Sequence, residues 1–309
     1  MIRLLIDTDT ASDDAVALVL ALRTPGVSVE AITVVAGNVP RDQGVQNALY
    51  TVELCGSRVP VYAGMAKPLV RPLRTAQDVH GQDGMGDIGL PVRARIAAPG
   101  NAVDVLLRAV DAEPGVFTLV TLGPLTNVAM AILRDPGFAA KVARCVTMGG
   151  TGVLPGNVTP LAEYNVWVDP EAAQIVFESG IPLTMVGWDI SRQYATVGPD
   201  EMRRMESADS PVARFCVAIQ RRLLDYCLTQ TKLGGFDLPD PMAVAVALDP
   251  SVATHIERRF VAVETGGVWG CGQTMVDELG VTGNAPNVDL VRAADHQRFM
   301  EMLYRATGA

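Results

Sequence analysis

The sequence is short of basic residues, of paired cysteines and of long apolar runs, and each shortage excludes a class of protein. Lys and Arg number 25 against 34 Asp and Glu, so the net charge of the 309-residue chain is −9. An acidic surface repels phosphate groups, which argues against nucleic acid and against an anionic membrane surface as partners. The five cysteines are scattered, odd in number and without a CxxC pair, a pattern typical of a reducing cytoplasm.

No apolar stretch reaches the roughly 20 residues that a membrane-spanning helix needs. The first residues show no apolar run followed by a small-residue cleavage site, so we expect no signal peptide and a cytoplasmic location. Hydrophobic residues make up 49% and charged residues 19% of the chain, a balance that disordered proteins do not have. A chain of this length buries a large core without disulfides or a structural metal.

Short apolar runs alternate with helical segments along the chain. The alternation predicts an α/β fold with an open, mostly parallel Rossmann-like sheet flanked by helices. Repeats, low-complexity tracts and a convincing linker are missing, which predicts one domain over residues 1–309. The Gly/Pro-rich stretches 64–100 and 149–162 are expected to be long active-site loops. Strands are expected at 4–6, 29–35, 116–121, 143–148, 182–186, 259–264 and 287–291, and helices from Ser12, at 41–55, from Pro124, from Asp169, at 211–229 and at 241–248.

Four carboxylates, Asp7, Asp9, Asp13 and Asp14, fall within eight residues at the end of the first expected strand. In an open α/β sheet, ligands bind at the carboxyl ends of the strands. Clustered like charges repel one another unless a cation neutralises them, and a hard divalent cation with oxygen ligands does so. The alternative is a solvated acidic loop that only caps the helix beginning at Ser12.

Polar residues also follow the later strands. Each short motif alone is typical of a turn, but all of them converge on one rim of one sheet, which indicates a single site. The motifs are Gly37–Asn38, Leu122–Asn127, Met148–Gly150, Gly156–Asn157, Glu163–Asn165 and Asp240–Pro241.

Taken in order, these motifs resemble the inosine-uridine preferring nucleoside hydrolase family over nearly the whole chain. The N-terminal fingerprint of that family is DxDxxxDD, which stands here at residues 7–14, with Thr10–Ala11 where the family usually has Pro-Gly. The segments 80–84, 169–173 and 240–245 also match. The resemblance implies the nucleoside hydrolase fold and a calcium-dependent hydrolase that cleaves ribonucleosides to free base and ribose, in purine and pyrimidine salvage.

The resemblance also implies roles for individual residues. Asp9 would be the general base that takes a proton from a calcium-bound water, and Asn38 would orient the water or the ribose. A homodimer or homotetramer is expected on the same ground. The implied Ca²⁺ ligands are Asp9, Asp14, Asp240 and the backbone carbonyl of Leu122; the implied ribose contacts are Asp13, Asn157, Glu163 and Asn165, with Met148 and Tyr164 lining the sugar pocket.

One departure from the family concerns the leaving group. Well-known members carry His, and another subgroup Trp, immediately before the Asp that this chain has at position 240, but here the residue is Pro239. Of the three histidines, His80 is the candidate proton donor, since His255 is expected in a late loop and His296 on the surface of the last helix. Tyr226 on the helix at 211–229 could also reach the base, or pack into the core.

Two other functions compete with hydrolysis of nucleosides. A ribose- or nucleoside-binding protein of the same fold with weak or lost catalysis is suggested by Pro239. A haloacid-dehalogenase-like phosphatase is suggested by the Asp7-x-Asp9 spacing, although Ala11 departs from that motif. If the chain is a hydrolase, the missing purine-protonating His predicts a preference for pyrimidine nucleosides, or slow turnover of all natural ones.

Overall fold

The first strand, β1 (Ile2–Thr8), lies near the middle of an eight-stranded sheet in the computed structural model, which describes residues 1–91, 94–153 and 155–309. Its side chains alternate between two cores. Leu4 and Ile6 pack on one face of the sheet and Leu5 packs on the other. Because both faces are covered, the strand is apolar from Leu4 to Ile6 before it ends in Asp7 and Thr8, as expected for a parallel strand.

The other elements confirm the alternating pattern within the described residues. The further strands are β2 (Val27–Val34), β3 (Val61–Ala63), β4 (Thr118–Thr121), β5 (Arg144–Met148), β6 (Leu183–Val186), β7 (Thr196–Val197), β8 (Phe236–Asp237), β9 (Ala253–Arg259), β10 (Val261–Val263), β11 (Thr274–Val276) and β12 (Val288–Ala294). The helices are α1 (Ser12–Arg23), α2 (Arg41–Leu54), α3 (Gln77–His80), α4 (Ala102–Ala112), α5 (Thr126–Arg134), α6 (Phe138–Lys141), α7 (Tyr164–Val168), α8 (Pro170–Glu178), α9 (Trp188–Tyr194), α10 (Pro199–Ser207), α11 (Pro211–Ala218), α12 (Arg221–Tyr226), α13 (Pro239–Leu248) and α14 (His296–Thr307), with a π-helix over Cys227–Thr231 and a 3₁₀-helix over Pro250–Val252.

The strand order of the main sheet is β3-β2-β1-β4-β5-β6-β12-β9. All neighbours are parallel except β9, which runs antiparallel to β12. The order reverses between β1 and β4, and a crevice for ligands forms at such a switch point in open α/β sheets. Both strands end in the acidic and polar motifs singled out from the sequence. The expected open, mostly parallel sheet is confirmed.

Two expected elements are wrong in their extent. The helix at 211–229 is broken into α11, α12 and the π-helix, and the break lets buried Gln220 donate from Nε2 to the carbonyl of Ser12 at 2.8 Å. The strand at 259–264 is split at Phe260, because residues 253–259 pair with β12 whereas 261–263 pair with β11 in a separate small sheet.

His255 therefore lies in strand β9 and not in a loop, and its side chain is 59% exposed. His296 begins α14, as expected, and lies at the surface with a side-chain exposure of 38%. None of the described helices combines the length and the apolar character that crossing a bilayer requires.

Candidate active site

A cavity of about 400 Å³ opens at the carboxyl ends of the parallel strands, within the size range of pockets for small molecules. Part of its wall comes from residues 74–80 within the expected loop 64–100, where α3 forms a single helical turn. Most of the site residues expected from the sequence meet in this cavity. Those that line it are Asp13, Asn38, His80, Leu122, Asn157, Glu163, Asn165 and Asp240, together with Met148 and Tyr164. Asp9 and Asp14 are fully buried and do not line it.

The turn from β1 into α1 is held by the Asp14 side chain. Its Oδ2 accepts a hydrogen bond from the backbone N–H of Ala11 at 2.9 Å, and its Oδ1 accepts from the Thr8 hydroxyl at 2.5 Å. Ala11 is the N-cap residue, and the helix begins at Ser12 as expected. As the third residue of the helix, Asp14 thus satisfies the backbone N–H of the N-cap residue, as the acidic residue of a capping box does.

Asp9 is enclosed by backbone. Its Oδ2 accepts from the backbone N–H of Asn38 at 2.6 Å, while its Oδ1 is buried without a hydrogen-bond partner. A side chain on Gly123 would stand 2.8 Å from this Oδ1, and one on Gly37 would collide with the Oδ2. Burial, and after it the charge of Asp14, raises the pKa of Asp9 well above its usual range.

Three carboxylates lie close enough together to share one ion. Oxygens of Asp13, Asp14 and Asp240 are within 4.8 Å of one another, and all three residues are buried. Among the described residues, no Lys or Arg forms an ion pair with them, and the nearest cationic candidate is the His80 ring, 3.7 Å from Asp13. Burial raises the pKa of Asp13 to about 7 and that of Asp14 to about 6.

This donor set fits a hard divalent cation. All ligand candidates are oxygens, and Oδ1 of both Asp9 and Asp13 is buried without a partner, which is costly unless a cation or a ligand satisfies it. The compact group contains Asp13, which the sequence assigned to the ribose. Asp9 lies outside this group, but the charges of Asp14 and Asp13 both act on its pKa. A buried aspartate cluster that can bind a metal is therefore present.

The opposite wall is organised by Glu163, the N-cap of α7. Its Oε1 accepts from the backbone N–H of Asn165 at 2.9 Å, and its Oε2 accepts from that of Gly150 at 2.8 Å. Burial raises the pKa of Glu163 to about 7. The Asn165 amide donates from Nδ2 to the Leu122 carbonyl at 2.9 Å, which ties this wall to the end of β4. The Asn157 side-chain oxygen accepts from the backbone N–H of Tyr164.

His80 is the last residue of α3 and lines the cavity. Its Nδ1 lies 3.0 Å from the Ser12 hydroxyl oxygen and 3.7 Å from Oδ1 of Asp13. Burial lowers the pKa of His80 to about 4, so the ring is neutral at pH 7. A neutral imidazole donates a hydrogen bond from one nitrogen and accepts at the other.

Several cavity residues escaped the sequence reasoning. Asp237 at the end of β8 lines the cavity and could have been noticed as a second carboxylate shortly before Asp240. Tyr226, for which a core position was an equal alternative, lines the cavity, and so does Pro239. The others carried no distinguishing pattern: Arg74, Asp78, Trp167, Trp188, Cys227 and Thr231.

Comparison with known proteins identifies the family to which the chain belongs. The model of the inosine-uridine preferring nucleoside hydrolase family matches residues 4–301. The chain belongs to this family. The resemblance seen in the motifs is thereby confirmed, and the phosphatase alternative falls.

Named relatives from this family cover nearly the full length. The pyrimidine-specific ribonucleoside hydrolase RihA of Citrobacter koseri is 39% identical over 305 residues, which is 97% of this chain and 96% of the relative. RihA of Salmonella typhimurium is 38% identical over 306 residues, with the same coverage.

The solved structures with the same fold are also nucleoside hydrolases. A plant nucleoside hydrolase superposes with a TM-score of 0.93 at 32% identity, covering 99% of each chain. The purine-preferring ribonucleoside hydrolase of Gardnerella vaginalis gives 0.91 at 31% identity, covering 99% of this chain and 98% of the other. The chain is accordingly a ribonucleoside hydrolase, an enzyme that cleaves the N-glycosidic bond.

Proposed function

We propose that this hydrolase acts on pyrimidine ribonucleosides with one bound Ca²⁺. The observation that carries the metal is the group of buried aspartates around unpartnered carboxylate oxygens, without a basic residue among the described ones to neutralise it. We assign Asp9, Asp14, Asp240 and the carbonyl of Leu122 as its ligands. When bound, Ca²⁺ would lower the pKa of a coordinated water and polarise the ribose hydroxyls.

The chain's own residues supply the remaining steps. Asp9 accepts the proton of the attacking water at its free Oδ1, since its Oδ2 is engaged by the Asn38 N–H. The Asn38 side chain, which lines the cavity, orients the water or the ribose. Asp13, Asn157, Glu163 and Asn165 hold the ribose, and the carboxylates among these four stabilise the positive charge that develops on the sugar as the bond breaks.

The leaving base needs a hydrogen-bond donor, because Pro239 has none to offer. His80 is neutral in its buried position and would donate to the base from Nε2, the ring nitrogen that is not in contact with Ser12. The preference for pyrimidines rests on this missing donor before Asp240 and on the RihA relatives named as pyrimidine-specific at 38–39% identity. A panel of uridine, cytidine, inosine and adenosine tests it, and the highest kcat/KM on a purine would contradict it.

The alternative of a catalytically silent nucleoside-binding protein is excluded by the assignment of the chain as a ribonucleoside hydrolase. The cytoplasmic location, the single domain over residues 1–309 and the homodimeric or homotetrameric state stay predictions. Gel filtration with light scattering measures the last of them.

A further inference from the structure

Asp237 is a buried carboxylate in the cavity wall to which none of the steps above gives a task. It is 4% exposed and lies at the end of β8, just before α13. Its Oδ2 accepts from the Ser191 hydroxyl at 3.1 Å, and its Oδ1 accepts from the Cys227 thiol at 3.6 Å. Among the described residues, no cationic side chain lies within ion-pair distance of it. The Ser191 hydroxyl and the weakly donating Cys227 thiol are the two side-chain donors to this carboxylate, and the Arg192 guanidinium acts on it only from beyond ion-pair distance.

This arrangement leaves hydrogen-bonding capacity unused. A carboxylate offers about four lone-pair sites, and two are engaged. Burial raises the pKa of the Cys227 thiol to about 12, so the thiol stays a donor and adds no second charge. A buried acceptor that the protein satisfies only in part is suited to receive N–H groups of a ligand in the cavity.

The position of Asp237 favours the base over the ribose. Its contact with the Cys227 thiol places it beside Tyr226, one of the two residues that could reach the base, and its charge acts on the pKa of Tyr226, of His80 and also of Asp13. The ribose contacts assigned above come from other segments: the first turn of α1 and the segment 157–165. The residues adjoining Asp237 in the wall are Pro239, which offers no N–H, and Cys227.

We propose that Asp237 is the residue that selects the base, by accepting a hydrogen bond from the exocyclic amino group of cytosine, so that the enzyme prefers cytidine to uridine. The inference rests on the proposed pyrimidine activity. Carboxylates accept from the N4 amino group of cytosine in protein–nucleic acid recognition. Uracil carries a carbonyl oxygen at the same ring position. This oxygen is an acceptor and cannot donate a hydrogen bond to the carboxylate, so the two groups repel each other.

The expected discrimination follows from one hydrogen bond to a charged group, which corresponds to roughly 10- to 100-fold in kcat/KM. A site built around a substrate N–H rejects the analogue that lacks it more strongly than a hydrophobic pocket rejects a small change in shape. The riboside of pyrimidin-2-one has only hydrogen at that ring position. It loses the donor without gaining the repelling oxygen, so its kcat/KM should lie between those of cytidine and uridine.

The test compares kcat/KM for these three ribosides in the wild type and in Asp237→Asn. The amide keeps the size of the side chain and offers an N–H to the uracil oxygen, so the cytidine-to-uridine ratio should fall by at least about 10-fold. Asp189→Asn is the matched control. Asp189 is an equally buried aspartate, 3% exposed, that accepts from the backbone N–H groups of Gly152 and Val153 and does not line the cavity. The Asp189→Asn variant should leave the cytidine-to-uridine ratio of kcat/KM unchanged.

The wild-type series alone decides the proposal if Asp237→Asn does not fold. A wild-type enzyme that cleaves uridine as well as or better than cytidine overturns the role of Asp237 and leaves the pyrimidine activity standing. So does a ratio that Asp237→Asn does not move. A wild type that turns over neither pyrimidine contradicts the proposed function itself, and this inference falls with it.

Discussion

Replacing Asp9 with Asn separates catalysis from folding more sharply than any other single change in the site. The Asn38 N–H points at Oδ2, so the amide must place its oxygen there and its NH₂ group at the position of Oδ1. That position is the free oxygen to which the proton of the water is assigned. The variant keeps the contact to Asn38 but can neither take the proton nor supply an anionic ligand.

The expected loss in kcat is at least about 100-fold, because general base catalysis alone contributes about 10²–10⁴-fold. The free energy of unfolding of the metal-free protein should not decrease, because the change removes one carboxylate from a buried cluster of aspartates that repel one another. Thermal unfolding in the presence of a chelator, together with initial rates on cytidine and uridine, measures both quantities.

Asp169→Asn is the control that should lower stability and leave catalysis nearly unchanged. Asp169 caps α8, and its carboxylate accepts from the Ala172 and Leu69 N–H groups and from the Thr126 hydroxyl. An amide leaves one of these donors unpaired, which costs about 1–3 kcal/mol of stability, while kcat should stay within a few-fold. If Asp9→Asn retains more than a tenth of the wild-type kcat, Asp9 is not the base.

Three further changes test other parts of the site. Thorough chelation should abolish turnover, and adding Ca²⁺ back should restore it and raise the midpoint of thermal unfolding, because the ion binds only the folded chain; full activity in a metal-free preparation would disprove the metal assignment. His80→Ala should slow pyrimidine ribosides by about 10-fold or more and leave a nitrophenyl riboside, whose leaving group departs without a proton, nearly unaffected; equal losses on both substrates would show that His80 only positions the sugar or the loop. Gly37→Ala should lower kcat by about 10-fold or more with every polar group intact, because the added methyl group collides with the Asp9 carboxylate and displaces it; an unchanged kcat would mean that the placement of Asp9 is not critical.

The sequence predicted the parts of the fold and site in which local chemistry and tertiary position agree. Buried parallel strands are apolar on both faces, and their polar ends meet at one rim of the sheet. The sequence therefore predicted that the Asp9 to Asp14 segment and Asn38 lie close together. The extent of a helix depends on distant partners. The expected helix at 211–229 breaks where buried Gln220 reaches the Ser12 carbonyl, and no local sequence pattern predicts that contact.

Side chains that line the cavity without periodicity were harder to find. Trp188 begins α9 and Asp237 ends a two-residue strand, so neither stands in a motif long enough to indicate a role. Asp237 gains its interest only when the structure shows a carboxylate facing two neutral donors in a buried wall. The structure groups Asp13 with Asp14 and Asp240, so the division of these carboxylates between metal and ribose rests on the family resemblance.

The aspartates that meet in the site come from two segments that are far apart in the sequence. Asp13 and Asp14 begin α1, whereas Asp240 lies at the start of α13, which packs against α1. A growing polypeptide therefore lacks one carboxylate of this group until residue 240 of 309 has been added. Affinity for a divalent ion is in this way a measure of completed assembly, and a nicked or truncated chain would lose it even where most of the sheet survives.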